Sequence, residues 1–329
     1  MGTTLLVLVV ALGLAFDFTN GFHDTANYVA TWVGTRALSP RPAVLVSAAA
    51  NLAGAFVTTA VAKTVATGII DTNLATQQTV LAALFGALAW NLFTWRRGLP
   101  SSSTHALIGG LVGAALVQSG AQGVQWSGLW HKVIVPGALS PVIGFAAAFL
   151  LIVLIYRLLH RLTPGVANRS FRTGQLFSGT WLAFTHGAND AQKTMGVIAL
   201  ALYEHGSISS FYIPTWVKIA AGLTIAAGTY VGGWRIIRTL GQRIYKLQPE
   251  HGFSAQLAAG TTLYVGTRLG FPISTTHVVS GSVMGAGATR GISAVRWGVA
   301  GNIAVAWLLT LPAAALVAAA LYYPVNWIF

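Results

Sequence analysis

Apolar stretches recur from one end of the chain to the other, for example Val142 to Tyr156 and Ala304 to Tyr322. A bilayer-spanning α-helix needs about 20 such residues, and helices or closed barrels alone satisfy their own backbone in lipid. The pattern predicts an all-α polytopic membrane protein in the cell membrane. Its elements read as a polar-interrupted helix at about 3–34, a full span at about 42–64, a paired element at about 75–96 and 101–119, and a long span at about 132–160. The same series follows at about 174–203, 213–236, 254–268 with 273–289, and 294–323.

The polar interruptions come in pairs. Gly21-Phe22-His23-Asp24-Thr25-Ala26-Asn27 returns in the second half of the chain as Gly187-Ala188-Asn189-Asp190-Ala191-Gln192-Lys193. Gly98-Leu99-Pro100-Ser101-Ser102-Ser103-Thr104-His105 returns, at nearly the same offset, as Gly270-Phe271-Pro272-Ile273-Ser274-Thr275-Thr276-His277. The 329 residues thus divide into two repeats, 1–165 and 166–329, forming one integrated transmembrane domain. Gly98-Leu99-Pro100 and Gly270-Phe271-Pro272 are helix breakers followed at once by polar residues, which predicts re-entrant helical hairpins, since irregular backbone at membrane depth must face protein or water. The runs Ala106 to Val117 and Val278 to Ala286 are short, small and Gly-rich, suited to close-packed half-helices.

Basic residues orient the chain. Arg157, His160, Arg161, Arg169 and Arg172 lie between the halves, and Arg235, Arg238, Arg243 and Lys246 form a second cluster, Arg36 with Arg41 a third and Arg290 with Arg296 a fourth. The positive-inside rule then makes the inter-repeat linker cytoplasmic and puts both termini and the Asp71 and Glu204 loops outside. Each half crosses an odd number of times, so the second repeat is inverted. Broken helices in inverted repeats are the layout of a transporter whose site lies where the repeats meet. The first segment, Thr4 to Phe16, lacks a basic leader and reads as a span rather than a cleavable signal.

Composition sharpens this picture. The chain is 55% hydrophobic and 8% charged, with mean hydropathy +0.68, whereas a soluble domain carries about 25% charged residues. Having no cysteine excludes disulfides, thiolate metal sites and cysteine nucleophiles. The net charge of +13 is scattered among spans, which suits cytoplasmic loops and argues against nucleic-acid binding. The tryptophan-rich outer segments could pair into a homodimer or belt the bilayer interface.

Only six acids are present, and Asp17, Asp24 and Asp190 lie in or beside the duplicated helix motifs. A carboxylate near the bilayer centre costs about 2.5 kcal/mol on the gentlest scale, a cost more readily retained for an ion or proton partner than for packing. Asp24 and Asn27 share a helix face, as do Asp190 and Lys193 with Gln192 beside them. Gly21 and Gly187 permit an unwound turn, whose carbonyls would join the acids in a Na+ site at Asp24, Asn27 and Asp190; a proton would serve a buried carboxylate equally. These residues form the cation-coupling set. No His/Glu spacing suggests zinc.

Ser101, Ser102, Ser103 and Thr104, with Ser274, Thr275 and Thr276, open helices after prolines. Hydroxyls, unpaired N–H groups and a positive dipole end suit a tetrahedral oxyanion, although Ser and Thr are also ordinary helix caps. Thr25 and Asn189, flanking the acids, join the expected substrate-binding set. His105 and His277 after the tips, and Arg96 and Arg268 before them, are expected to support the hairpins.

With these motifs together, the chain resembles the inorganic phosphate transporter (PiT) family. Asn20 to Asn27 and His186 to Lys193 are similar to its duplicated Gly-Ala-Asn-Asp motif, and Pro100 to His105 and Pro272 to His277 to its duplicated Pro-x-Ser-x-Thr-His tips. The resemblance spans the whole chain. It implies a symporter that imports phosphate with Na+ or H+, with no other cofactor, and a substrate site between the tips and the Asp-bearing helices. Two departures stand out. The first motif reads Gly-Phe-His-Asp, and the second ends in Gln192-Lys193 where the first ends in Ala26-Asn27. A sulfate permease of the same architecture is the nearest alternative; an anion channel or an intramembrane hydrolase using a tip serine with His105 or His277 is more remote, since catalysis rarely needs two inverted copies.

Overall fold

The computed structural model describes residues 2–161, 163–239 and 247–329, so Arg243 and Lys246 of the second basic cluster lie outside the described residues. Among those residues regular structure is helical, apart from one isolated bridge between Ile70 and Val124. The first half runs α1 Gly2–Asp24, α2 Ala26–Gly34, α3 Pro40–Gly54, α4 Ala60–Thr67, α5 Gln77–Arg97 and α6 Ser103–Ser119. Then α7 Trp126–Gly128 and a π-helical turn lead into α8 Val135–Leu158. The second half runs α9 Pro164–Glu204, α10 Thr215–Val231, α11 Trp234–Arg238, α12 Pro249–Arg268, α13 Thr275–Ala288 and α14 Trp297–Ile328.

Among the described residues, five helical segments are long and apolar enough to cross a membrane: Gly2–Gly34, Gln77–Arg97, Ser103–Gly123, Trp126–Leu158 and Trp297–Ile328. On α8 and α14 large apolar side chains face outward, with Leu150 65%, Leu308 77% and Leu316 72% exposed. Such a surface suits contact with lipid. The protein is a multi-pass helical membrane protein.

Three local expectations change. The spans expected at about 42–64 and 213–236 are each broken, into α3 with α4 and α10 with α11. The first break starts a new helix whose opening N–H groups are satisfied from outside: Ala60 N donates to Thr58 Oγ1, while Val61 N and Ala62 N donate to Gln192 Oε1 of α9 at 2.9 and 3.2 Å. The second falls at Gly232, whose φ of +76° favours glycine. Conversely, the helix is not unwound at Gly21 or Gly187; α9 is continuous through its motif, and α1 and α2 part only at Thr25. These glycines serve close packing instead, since a Cβ would strike the Ile225 carbonyl at Gly21 and the Asn51 carbonyl at Gly187.

The hairpins are clasped crosswise. α6 folds back on α5 and α13 on α12, but the long helix lying on each pair comes from the other half: α14 on α5 and α6, α8 on α12 and α13. Backbone contact makes this possible. Gly109 and Gly113 of α6 meet the carbonyls of Leu311 and Ala315, and their equivalents on α13, Gly281 and Gly285, meet those of Pro141 and Phe145. Small-xxx-small faces let helices approach this closely where lipid supplies no hydrophobic drive. α1 packs on α10 as α9 packs on α3. The same contacts therefore occur twice.

Gly113→Val would force the α6 and α14 backbones apart, an overpacking cost of about 1–3 kcal/mol or more. The expected result is a heat-aggregation midpoint in detergent lower by about 5 °C or more, whereas Gly301→Leu, with open space around Gly301, should leave it unchanged. Equal midpoints for both variants would contradict the close approach.

Candidate functional site

Each hairpin tip is built by a short chain of local constraints. α5 ends at Gly98 in the left-handed region, φ +66°, and α12 is followed by Gly270 at φ +76°. The prolines that follow keep the backbone extended. Ser102 then caps α6, accepting from His105 N at 3.1 Å, and Ser274 caps α13, accepting from His277 N at 3.3 Å. Both serines thus do act as caps. The cap leaves the first-turn N–H groups of Ser103 and Thr104, and of Thr275 and Thr276, outside the helical ladder. The two tips are buried and touch: Thr104 Oγ1 donates to Ile273 O at 3.4 Å, and the His105 and His277 rings lie 4.8 Å apart.

Asp24 and Asp190 lie against this junction, almost wholly buried. Each acid accepts from the tip of its own half: Ser103 Oγ donates to Asp24 Oδ2 and Thr275 Oγ1 to Asp190 Oδ1, both at 3.3 Å. The residue three positions on reaches the opposite tip. Asn27 Nδ2 donates to Thr276 Oγ1 at 3.1 Å, and Lys193 Nζ donates to Thr104 Oγ1. Lys193 Nζ also lies 2.7 Å from Asp190 Oδ2. Thr276 Oγ1 adds a long contact to Asp24 Oδ1 at 3.4 Å.

Two residues that the motif reading did not single out as ligands complete the centre. Asn20 donates to Asp190 Oδ2 at 3.2 Å and accepts from Ser103 Oγ at 2.6 Å. His186 stands between the acids, its Nε2 3.6 Å from Asp24 Oδ2 and 3.5 Å from Asp190 Oδ2. Its orientation follows from a network behind it. Asn51 Nδ2 donates to Tyr28 Oη and Thr229 Oγ1, so Asn51 Oδ1 accepts from His186 Nδ1 at 2.7 Å. Nε2 is then the atom turned to the carboxylates. One atom each from Asp24, His186 and Asp190 lie within 4.8 Å of one another, so a hard cation at about 2.4 Å from the two carboxylate oxygens could sit between the acids, with the His186 nitrogen beside it. Because the helices do not unwind here, the ligands for such a cation are side chains. The only advance signal was register: Asn20 and His186 hold the same place in the two copies, each immediately before a motif glycine.

Other expected residues stand around this centre. Thr25 Oγ1 donates to the carbonyls of Gly21 and Thr229 at 2.6 and 3.2 Å. Asn189 pins the second hairpin, donating to Thr267 Oγ1 at 2.8 Å and Phe271 O at 3.1 Å. Its counterpart His23 pins the first through Thr94 at 3.1 Å and Ser101 at 3.4 Å, while its Nδ1 lies 3.0 Å from Asp24 Oδ1. Gln192 caps α4, away from the acids. His105 and His277 lie behind the tips, where the His277 ring lies 4.2 Å from the Trp307 ring. Arg96 and Arg268 are exposed, with the Arg96 carbonyl held by Arg235 at 2.9 Å. Asp17 is fully buried on α1 with neither carboxyl oxygen hydrogen-bonded.

Comparison with known proteins bears directly on this geometry. Residues 20–318 match the family described as "Phosphate transporter family". A relative from Rhizobium meliloti, named "Probable low-affinity inorganic phosphate transporter", is 49% identical over 324 residues, covering 98% of this chain and 97% of that one. One of the same name from Bacillus subtilis is 42% identical over 330 residues, covering 99% and 98%. A solved structure described as "The sodium-dependent phosphate transporter" superposes with a TM-score of 0.92 at 27% identity, covering 99% of this chain and all of the other. These are transporters rather than enzymes, which disposes of the hydrolase alternative. The chain belongs to the phosphate transporter family.

Proposed function

We propose that the protein imports inorganic phosphate as a cation-coupled symporter, holding the anion where the hairpin tips meet and a cation between Asp24, His186 and Asp190. The meeting of two matched hydroxyl-bearing tips at two buried acids carries this reading. The hydroxyls of Ser103, Thr104, Thr275 and Thr276 and the first-turn N–H groups behind them are oxyanion donors. Carboxylates beside them are the wrong sign for a phosphate. At about 4 Å and an effective dielectric of 20, each like-charge pair costs about 4 kcal/mol. A cation that satisfies the acids removes that repulsion and frees the hydroxyls, so the two solutes enter together. The sodium dependence ascribed to the similar solved structure supports Na+ as the cation.

The repeated packing suggests the moving parts: one body of α1 with α10 and α9 with α3, and another of the two hairpins clasped by α8 and α14, with the extensive α9–α12 and α1–α5 contacts as the surfaces along which they would slide. Rocking one against the other, around tips that stay together, gives alternating access. The repeated glycine contacts support two repeats, 1–165 and 166–329, in inverted topology. The basic residues between them support a cytoplasmic linker with both termini outside.

Asp24→Asn is expected to lower labelled-phosphate uptake about 100-fold or more in cells lacking their own phosphate transporters, at unchanged membrane abundance. Normal uptake would remove Asp24 from the coupling site. In proteoliposomes, an inward Na+ gradient at equal pH should drive phosphate accumulation, and an inward proton gradient without Na+ should not. The opposite pair of results would replace Na+ with H+ as the coupling ion.

A further inference from the structure

We propose that Lys193 is a built-in counter-ion occupying the place of a coupling cation in the second half, so that each transport cycle moves one cation fewer than the duplicated site would otherwise hold. This rests on the cation-coupled reading above and sets its stoichiometry.

The inference follows from register and geometry. The offset between the duplicated helix motifs superposes Asp24 on Asp190 and Asn27 on Lys193. Around these pairs the two halves repeat each other's contacts. Each acid accepts from its own tip, at Ser103 or Thr275, and each residue three further on donates to the opposite tip, at Thr276 or Thr104. Thr104 and Thr276 are themselves equivalent, each standing directly before the tip histidine. Within this repeated set, the change from an amide to an ammonium at position 193 alters the fixed charge.

Its placement suits that role. Lys193 is fully buried, and its Nζ lies 2.7 Å from Asp190 Oδ2 while bonded to Thr104. An ammonium is kept out of water when an acid pairs with it, and removing one partner of such a pair is strongly unfavourable. Neither carboxyl oxygen of the buried Asp17 is hydrogen-bonded, so the acid that the ammonium pairs with is Asp190. Among the described residues Asp24 has no Lys or Arg partner. Its neighbours are instead the ring nitrogens of His23 and His186, 3.0 and 3.6 Å away, and neither places an ammonium or guanidinium on Asp24 as Lys193 does on Asp190. Asp24 therefore takes its positive charge from solution, and Asp190 takes it from the chain. A tethered charge cannot leave with phosphate. The cation beside Asp24 can.

The test is the ratio of coupling cation to phosphate moved by the full-length protein in proteoliposomes, read from labelled fluxes and from the gradient at which net phosphate flux reverses. Wild type should move one cation per phosphate, with first-order dependence on cation concentration. Lys193→Asn gives the second half the residue of the first and should raise the ratio by one, with second-order dependence. Lys193→Arg should keep the wild-type ratio at reduced rate. A wild-type ratio of two, or an unchanged ratio in Lys193→Asn, overturns the proposal. If Lys193→Asn folds but does not transport, equilibrium cation binding decides: one additional site supports the proposal and an equal number overturns it. If that variant cannot be obtained folded, the wild-type ratio decides alone. Wild-type protein that moves no phosphate would instead overturn the transport reading itself.

Discussion

Two carboxylates held near one histidine, out of reach of water and inside a membrane protein, are the constraint on which the rest of this structure turns. Asp24 and Asp190 come from different halves of the chain, yet both lie within 3.6 Å of His186 Nε2. Each would cost about 2.5 kcal/mol or more to place at membrane depth unpaired. The surrounding elements answer that cost. Serine and threonine hydroxyls of the tips donate to the acids, Asn20 bridges the two halves, and Lys193 neutralises one acid directly. On the proposed reading the other acid is left to a mobile cation, and the need to bring that cation in would convert an electrostatic liability into coupling.

Geometry at this scale depends on backbone contacts well away from the charges. The tips reach the acids because their second arms are seated on α14 and α8 through glycines that let carbonyls pass at contact distance. Polar side chains then pin the loops: His23 for the first hairpin, Asn189 for the second, and the Ser102 and Ser274 caps within each. Because the clasping helices are exchanged between halves, each hairpin is packed against the long helix of the other repeat. That arrangement favours a rigid hairpin body moving as a unit over independent flapping of two loops.

Much of this was legible in the sequence, and what was not has a physical reason. The duplicated motifs, the proline breaks and the hydroxyl runs are local patterns, so the tips, the acids and the helical class could be read directly. His186 could not be placed between Asp24 and Asp190, because it lies in the opposite half of the chain from Asp24 and no spacing records their meeting. Gln192 looked like a ligand from its motif position, but helix geometry turns it away from the acids to cap α4. The break between α3 and α4 was hidden in an apolar run, since a tertiary contact from Gln192 supplies its capping, whereas that between α10 and α11 lies at Gly232-Gly233, a local breaker inside an otherwise apolar stretch. Gly21 and Gly187 suggested unwinding, but at those positions the absent Cβ makes room for a neighbouring carbonyl.

The central claim is that phosphate is held at the tips once a cation has satisfied the acid beside them. Calorimetric titration of phosphate into the purified protein, at fixed pH and ionic strength, with Na+ replaced by a large organic cation in one arm, measures this directly. The account expects phosphate to bind at least about tenfold more weakly without Na+, a coupling of about 1.4 kcal/mol or more. Equal affinity in the two arms would contradict it.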